Sequence, residues 1–339
     1  MIKIEKPHVY RTAEIIQNSI RKLDLDLDGL TILTEAGTNY YLYTPIIAAM
    51  AGAKLVNAAI NDSSYGKAED IKDAVQKISE MLGVADKINY VMNRLPLEEM
   101  QGSDIISNSG ALRPINSKVL SNINRNGVIP VMYETWELRE GEIDLDYCDK
   151  NKIKVAGTWE NHPSIMVFDS VGMLAIKLSF EAGYEVIHNN IIVWSDDEFG
   201  KKSEIAFKKA GANSVKLTVD TEVLYNDAAN LDFVYICNYN EKRDYWNSSD
   251  SVFDIEKLLS INNHIGFVHL YGNVDYKYSV KNDFKVYPHQ DGKDSFMTRT
   301  LSHLGPLPLV RLQAAGFKVG YEMITEKYTD LSQKLFKWM

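Results

Sequence analysis

The chain has 339 residues, of which 45% are hydrophobic and 24% charged, and its formal net charge is −9. This length favours two domains, and the acidic balance argues against a nucleic-acid partner because duplex binding needs a basic surface. Cys148 and Cys237 lie far apart, the chain starts without an apolar leader, and no apolar run approaches the ~20 residues of a membrane span. We therefore expect a cytoplasmic protein without a disulfide framework or a membrane partner.

The first half of the chain alternates between apolar strands and amphipathic helices. After a helix over residues 13–25, the pattern predicts strands at 30–34, 54–60, 88–92, 104–107 and 128–133, with helices at 42–51, 68–82 and 117–122. A sixth strand is predicted from residue 152. Such alternation is typical of a parallel sheet covered by helices.

A long helix and a second αβ pattern follow. Apolar residues recur at helical spacing from Ile165 to Leu178, and Asn161-His162-Pro163 is predicted to cap the helix start. Strands are then predicted at 191–194, 214–219, 233–236 and 266–270. We predict an α/β protein with two Rossmann-like, doubly wound parallel-sheet domains and an interdomain cleft. The first domain covers residues 1–160 with a returning helix at 306–339, and the second covers residues 161–305.

Four segments carry a resemblance to a known superfamily. They are "SDIISNSGALRPINSKVLSNI", "REGEIDLDYCDKNKIKVAGTWENHPSI", "IIVWSDDEFGKKSEIAFKKAGA" and "VYPHQDG". Their order resembles the D-2-hydroxyacid dehydrogenase and adenosylhomocysteine hydrolase superfamily over roughly residues 100–290. The resemblance implies two Rossmann-like domains, an NAD(P)-linked oxidoreductase activity, and His289 at the position of the catalytic histidine.

The second domain departs from the glycine-rich loop of that superfamily. Ser195 and Asp197 stand at the first two glycine positions, and only Gly200, which lets helix and strand pack closely, is retained. Because Asp197 would repel a pyrophosphate, we expect this loop to exclude tightly bound NAD. Asp220 lies at the position where an acidic residue would bind the ribose of the cofactor. The alternative is that Asp220 is a solvated strand end without this role. Tyr271 replaces the arginine that would clamp a substrate carboxylate.

The first domain has its own candidate cofactor loop. A predicted strand ends at Glu35-Ala36-Gly37-Thr38-Asn39, and the next strand ends at Asn61-Asp62. This spacing resembles the first motifs of Rossmann-type S-adenosylmethionine methyltransferases, which implies a nucleoside cofactor with Asp62 on the ribose hydroxyls. The alternative is structural, with Gly37 in a turn and Asp62 capping the following helix.

Further polar residues follow predicted strands, where α/β proteins usually bind ligands. Asn108, Ser109, Gly110 and Arg113 follow one strand, and Arg113 could anchor an anionic small-molecule substrate. His162, His289 and Glu134 would converge on the cleft and transfer protons. His303 is assigned to a turn and His269 to the core, and we find no metal-ligand constellation.

Three functions therefore stay open. The first is a small-molecule enzyme with NAD(P), resembling the hydroxyacid dehydrogenases. The second is an S-adenosylmethionine-dependent methyltransferase that uses the first-domain loop. The third is a non-catalytic binding protein with a decayed cofactor site. A homodimer is compatible with all three.

Overall fold

The computed structural model describes residues 2–108 and 110–335, so the predicted edge residue Ser109 lies outside the described residues. The chain divides into two compact units. Unit 1 comprises Met1–Val167 and Gly305–Met339, and unit 2 comprises Phe168–Leu304.

In its described residues, unit 1 has helices and strands that alternate along the chain. They are α1 Lys6–Leu23, β1 Thr31–Glu35, α2 Thr44–Met50, β2 Leu55–Ile60, α3 Ala68–Met81, β3 Ile88–Met92, α4 Leu97–Gly102, β4 Ile105–Ile106, α5 Ser117–Leu120, β5 Val128–Pro130, α6 Leu145–Asn151, β6 Lys154–Thr158, α12 Pro306–Thr325 and β12 Ser332–Lys334.

The sheet of unit 1 has the strand order β12-β6-β5-β4-β1-β2-β3. Strands β1 to β6 are parallel, and β12 pairs antiparallel with β6 at the edge. Without β12 this order is 3-2-1-4-5-6, which is typical of dinucleotide-binding domains. The strand order reverses between β1 and β4, so a ligand is expected beyond the carboxyl ends of these two strands.

Unit 2 is a smaller alternating unit with a second order of strands. Its elements are α7 Asp169–Glu181, β7 Asn190–Trp194, α8 Glu198–Lys209, β8 Ser214–Thr218, α9 Thr221–Asp227, β9 Phe233–Ile236, α10 Ile255–Ile261, β10 Gly266–His269, α11 Tyr276–Lys281 and β11 Val286–Tyr287. The parallel order β8-β7-β9-β10-β11 corresponds to 2-1-3-4-5. Its topological switch point lies between β7 and β9.

Burial explains why these segments form their elements. The central strands of both sheets are covered on both faces, so they are short continuous apolar runs, as in Ile191–Trp194. Helix α1 buries residues at helical spacing, among them Val9, Ile16 and Leu23, and leaves its opposite face in solvent. A structure of two Rossmann-like α/β units confirms the predicted fold class.

Several predicted boundaries differ from the structure. The predicted cap at Asn161-His162-Pro163 is wrong, because α7 begins only at Asp169. Met166 between them has a φ of 49°, which no right-handed helix can include. The strand predicted to reach residue 133 ends at Pro130. Strands β11 and β12 had not been predicted, since two or three residues are too few to show a period of two.

Candidate functional site

The switch point of unit 1 is bridged by Glu35, the last residue of β1. Its Oε2 accepts a hydrogen bond from the Ala111 backbone N–H at 3.1 Å, and a Cβ placed on Gly110 would lie 3.4 Å from the same oxygen. Burial raises the pKa of the Glu35 carboxyl, although the Ala111 N–H and the Arg113 charge act in the opposite direction. Two of the predicted sets, the Glu35 loop and the Asn108 loop, therefore meet at this switch point.

Asn108 follows β4 and contributes a buried amide to the same edge. Its side chain is 1% exposed, and its Oδ1 accepts the Met132 backbone N–H at 2.9 Å. Among the described residues, its Nδ2 has no hydrogen-bond partner. A buried donor without an acceptor costs about 1–3 kcal/mol, so a ligand that accepts this hydrogen bond would be favoured.

The loop after β1 is shaped largely by its own side chains. A Cβ on Gly37 would lie 3.1 Å from Tyr41 Cβ, so glycine is the residue that leaves room for the turn. Thr38 precedes and Asn39 begins the 3-10 helix Asn39–Tyr43. The Thr38 methyl would be 2.9 Å from a Cβ on Gly66.

Asp62 follows β2, one strand away from the switch point, and it holds the start of α3. Its Oδ1 accepts the Ala68 N–H at 2.8 Å and its Oδ2 lies 3.1 Å from Lys67 Nζ. These contacts hold the pKa of Asp62 below its usual range, with the Ala68 hydrogen bond contributing most. In this structure Asp62 therefore caps the following helix, which is the structural alternative given for it above. Ribose binding by Asp62 stays a prediction.

Arg113 is paired within the protein. Its Nη1 contacts Glu142 Oε1, and Arg139 approaches the other carboxylate oxygen at 3.9 Å. Glu142 is buried, so loss of Arg113 would leave its charge to the more distant Arg139. A substrate anion would have to compete with Glu142 for Arg113, and this weakens the predicted role of Arg113 as a substrate anchor.

Glu134 belongs to a group of buried carboxyls beyond β5 and β6. The side chain is 9% exposed, and it accepts hydrogen bonds from Trp136 Nε1 at 2.7 Å and from the Glu160 N–H at 3.1 Å. Burial, with the neighbouring Glu134 carboxylate, raises the pKa of Glu137 to about 8. Burial followed by Glu137 and Glu134 also raises the pKa of Glu160. This edge can therefore hold protons near neutral pH.

Sequence reasoning identified Glu134 and missed Glu137 and Glu160. A signal was available, because the tripeptide Thr-Trp-Glu occurs at residues 135–137, a few residues after β5, and again at 158–160, where the neighbouring strand β6 ends. Repeated acids at strand ends on the same sheet edge are expected to lie close together.

His162 is held inside unit 1. Its Nε2 lies 2.9 Å from Asp330 Oδ1, its Nδ1 accepts the Ser164 N–H at 3.1 Å, and its ring packs edge-on against Trp159. His289 belongs to unit 2, where it is exposed and stacks on Tyr276 with ring centroids 5.5 Å apart. Convergence of the two histidines stays a prediction.

The switch point of unit 2 is closed by Asp197. Its Oδ1 accepts hydrogen bonds from the Ser195 hydroxyl at 2.7 Å and from the Gly200 N–H at 3.1 Å. Its Oδ2 accepts one from the Tyr239 N–H at 2.8 Å. Three aromatic rings lie buried beyond β7, β9 and β10, where Phe199 lies 4.8 Å from Tyr271 and 6.1 Å from Tyr239 between ring centroids. Asp197 and these rings thus fill the carboxyl ends of the strands at this switch point, where α/β proteins usually bind ligands.

The remaining predicted positions have structural partners. Asp220 is exposed and caps α9 through the Glu222 N–H at 2.8 Å. His269 is fully buried, as predicted, and His303 ends the 3-10 turn Leu301–His303, where it pairs with Glu181 at 2.9 Å. Among the described residues, no group of three His, Cys, Asp or Glu side chains could hold a metal ion. In the same part of the chain, no helix is long and apolar enough to cross a membrane.

Comparison with solved structures identifies proteins of the same fold. The dipicolinate synthase of Bacillus subtilis is 13% identical, with a TM-score of 0.54 over 90% of this chain and 100% of that chain. The dipicolinate synthase of Bacillus halodurans is 12% identical (TM-score 0.50; 85% of this chain, 96% of that chain). The pyruvate reductase of Chlamydomonas reinhardtii is also 12% identical (TM-score 0.51; 82% and 98%).

These likenesses concern the fold. They show the predicted fold of two Rossmann-like domains, and they give no support to the methyltransferase alternative. No family model and no curated protein matches the sequence.

Proposed function

We propose that this protein is a small-molecule enzyme that uses NAD(P), and that unit 1 rather than unit 2 binds the cofactor. Unit 1 has the 3-2-1-4-5-6 strand order, and its switch point carries a buried amide donor that needs an acceptor. The switch point of unit 2 is filled instead by Asp197 and three aromatic rings. The Nδ2 of Asn108, which has no partner among the described residues, is the observation that carries the proposal.

The residues of unit 1 divide the proposed site into two halves. Asp62, after β2, would exchange its contacts with Ala68 and Lys67 for the ribose hydroxyls, and Asn108 Nδ2 would donate to the cofactor near the switch point. NAD(P) supplies hydride transfer when it is bound. Beyond β5 and β6, burial raises the pKa of Glu137 to about 8 and also raises the pKa of Glu160, so Glu137 would supply a proton that a dehydrogenase exchanges with its substrate.

A second candidate is a binding protein without catalytic activity. It is favoured by the Glu35 carboxyl, which lies at the unit 1 switch point where a pyrophosphate would approach. An ionised Glu35 would repel phosphate, whereas a protonated one would donate a hydrogen bond. Burial raises the pKa of Glu35, so its neutral form is more accessible than that of an ordinary glutamate. This neutral form would tolerate a phosphate, so the pKa shift supports the first candidate, the NAD(P)-dependent enzyme.

Calorimetric titration of NADH and NADPH tests the proposal. Asn108→Asp keeps the Oδ1 acceptor for Met132 but replaces the Nδ2 donor with a negative oxygen, so we expect at least a tenfold loss of affinity, or about 1.4 kcal/mol. Asn126→Asp, an exposed substitution in the same unit, adds the same charge and should leave affinity unchanged. Equal affinity of the Asn108 variant and the wild type would contradict the site. Binding of neither dinucleotide at millimolar concentration would favour the non-catalytic candidate.

A further inference from the structure

Helix α8 begins in unit 2 where a Rossmann-like unit presents its helix N-terminus to a ligand phosphate. A helix of 12 residues has free N–H groups and a partial positive charge at this end, and both attract anions. In this chain the N-cap is Asp197, whose carboxylate accepts the Gly200 N–H. The anion at this position therefore belongs to the protein itself.

We propose that Asp197 is a built-in substitute for a cofactor phosphate, so that unit 2 is a Rossmann-like unit whose dinucleotide position is permanently self-occupied. The carboxylate takes hydrogen bonds from three separate segments: the Ser195 hydroxyl after β7, the Gly200 N–H in α8, and the Tyr239 N–H after β9. These segments surround the switch point between β7 and β9. A ligand phosphate would need the same donors, and Asp197 already uses them.

Helix α8 packs closely against the strands at this loop. A Cβ on Gly200 would lie 2.5 Å from Ser195 Cβ and 2.7 Å from Leu217 Cδ1, so α8 rests directly on the ends of β7 and β8. Ser195 is 1% exposed, and its hydroxyl is directed to Asp197. The close helix–strand packing of a dinucleotide-binding unit is therefore kept, while the space next to the helix is taken by a carboxylate.

Electrostatics disfavours a second anion beside an ionised Asp197. Two unit charges at 4 Å repel by about 1 kcal/mol in water and by about 4 kcal/mol in a partly buried protein site. Asp197 is partly buried: burial and the Asp196 charge raise the pKa of its carboxyl, and the three donors hold that pKa down and favour the ionised form. A dinucleotide would have to displace Asp197 from its three donors or approach it against this repulsion. The inference concerns unit 2 alone and does not depend on the site proposed in unit 1.

Removal of the carboxylate should uncover an anion site that a free phosphate compound can fill. In Asp197→Gly, three donors lose their acceptor, so we expect the melting temperature to fall by about 2–4 °C. Millimolar pyrophosphate should restore at least half of this loss, whereas sodium chloride at matched ionic strength should not. Wild-type protein should show no such stabilisation beyond the salt control. Asp196→Gly, a change at the exposed neighbour, should show neither the loss nor the rescue.

A second variant tests the inference if Asp197→Gly folds poorly. Asp197→Ser keeps a capping hydroxyl but removes the charge, and it should also gain stabilisation by pyrophosphate. Two results would overturn the inference: a folded Asp197→Gly or Asp197→Ser protein that pyrophosphate does not stabilise, or wild-type protein that pyrophosphate stabilises as much as the variants.

Discussion

His269 is a fully buried histidine in unit 2 whose ring is hydrogen-bonded on both nitrogens. Its Nε2 lies 3.1 Å from the Pro288 carbonyl and its Nδ1 lies 3.2 Å from Thr298 Oγ1. Burial lowers its pKa from 6.5 to about 4, and the Arg299 charge adds to this shift. The ring therefore stays neutral in the folded protein at pH values where it is protonated in the unfolded chain.

The stability contributed by neutral His269 is complete above pH 6.5 and is lost as the pH falls towards 4, because the unfolded state binds the proton first. We expect the difference in unfolding free energy between wild type and His269→Gln to narrow by about 3 kcal/mol over this range. Urea unfolding at several pH values measures it. His264→Gln, an exposed substitution in the same unit, is the matched control. A constant difference between wild type and His269→Gln would contradict a neutral buried ring.

Sequence reasoning located several site residues but could not see their partners. Glu35 and Asn108 were identified separately from strand ends, and only the strand pairing shows that their loops meet. The repulsive character of Asp197 followed from its position in the glycine pattern, whereas its bond to the Tyr239 N–H joins residues 42 positions apart. Arg113 looked free in the sequence because Glu142 lies in a different loop.

Helices α7 and α8 of unit 2 cross at a glycine. A Cβ on Gly172 would lie 2.6 Å from the Lys202 carbonyl oxygen and 2.7 Å from Ala206 Cβ. Because the nearest atom belongs to backbone, Gly172→Ala must push the helices apart, and we expect a loss of about 1–3 kcal/mol in unfolding free energy. Met173→Ala, at an exposed position of the same helix, should cost far less. Chemical denaturation compares the two variants, and equal stability of Gly172→Ala and wild type would rule out this close crossing.

Elements with a clear hydrophobic pattern can be predicted from the sequence, whereas elements defined by tertiary contacts cannot. Strand Ile88–Met92 and strand Phe233–Ile236 match their predicted bounds, and each short apolar run begins directly after a charged residue, Lys87 or Asp232. Helix α7 starts later than predicted because Met166 adopts a left-handed conformation that the apolar spacing does not reveal. Strand β12 exists only through its pairing with β6.

Over the whole molecule, the two units share a fold class but differ in strand order and in their switch points. Sequence alternation predicts parallel sheets but contains no information on which strands are neighbours, so the orders 3-2-1-4-5-6 and 2-1-3-4-5 had to come from the structure. The resemblance places the glycine-loop position of the superfamily in unit 2. The contacts of Asp197 argue against a cofactor site in unit 2, and the buried Asn108 amide favours a cofactor site in unit 1.

Hydrogen exchange with NADH tests most directly whether unit 1 is the cofactor unit, because it reports which segments a ligand protects. If unit 1 binds the cofactor, exchange slows at 35–39, 61–62, 107–108 and 110–112, at the carboxyl ends of β1, β2 and β4, and does not change at 195–200 or 237–240. Asn108→Asp should abolish this protection. Protection confined to 195–200 and 237–240 would show instead that unit 2 binds the cofactor and that the site in unit 1 is wrong.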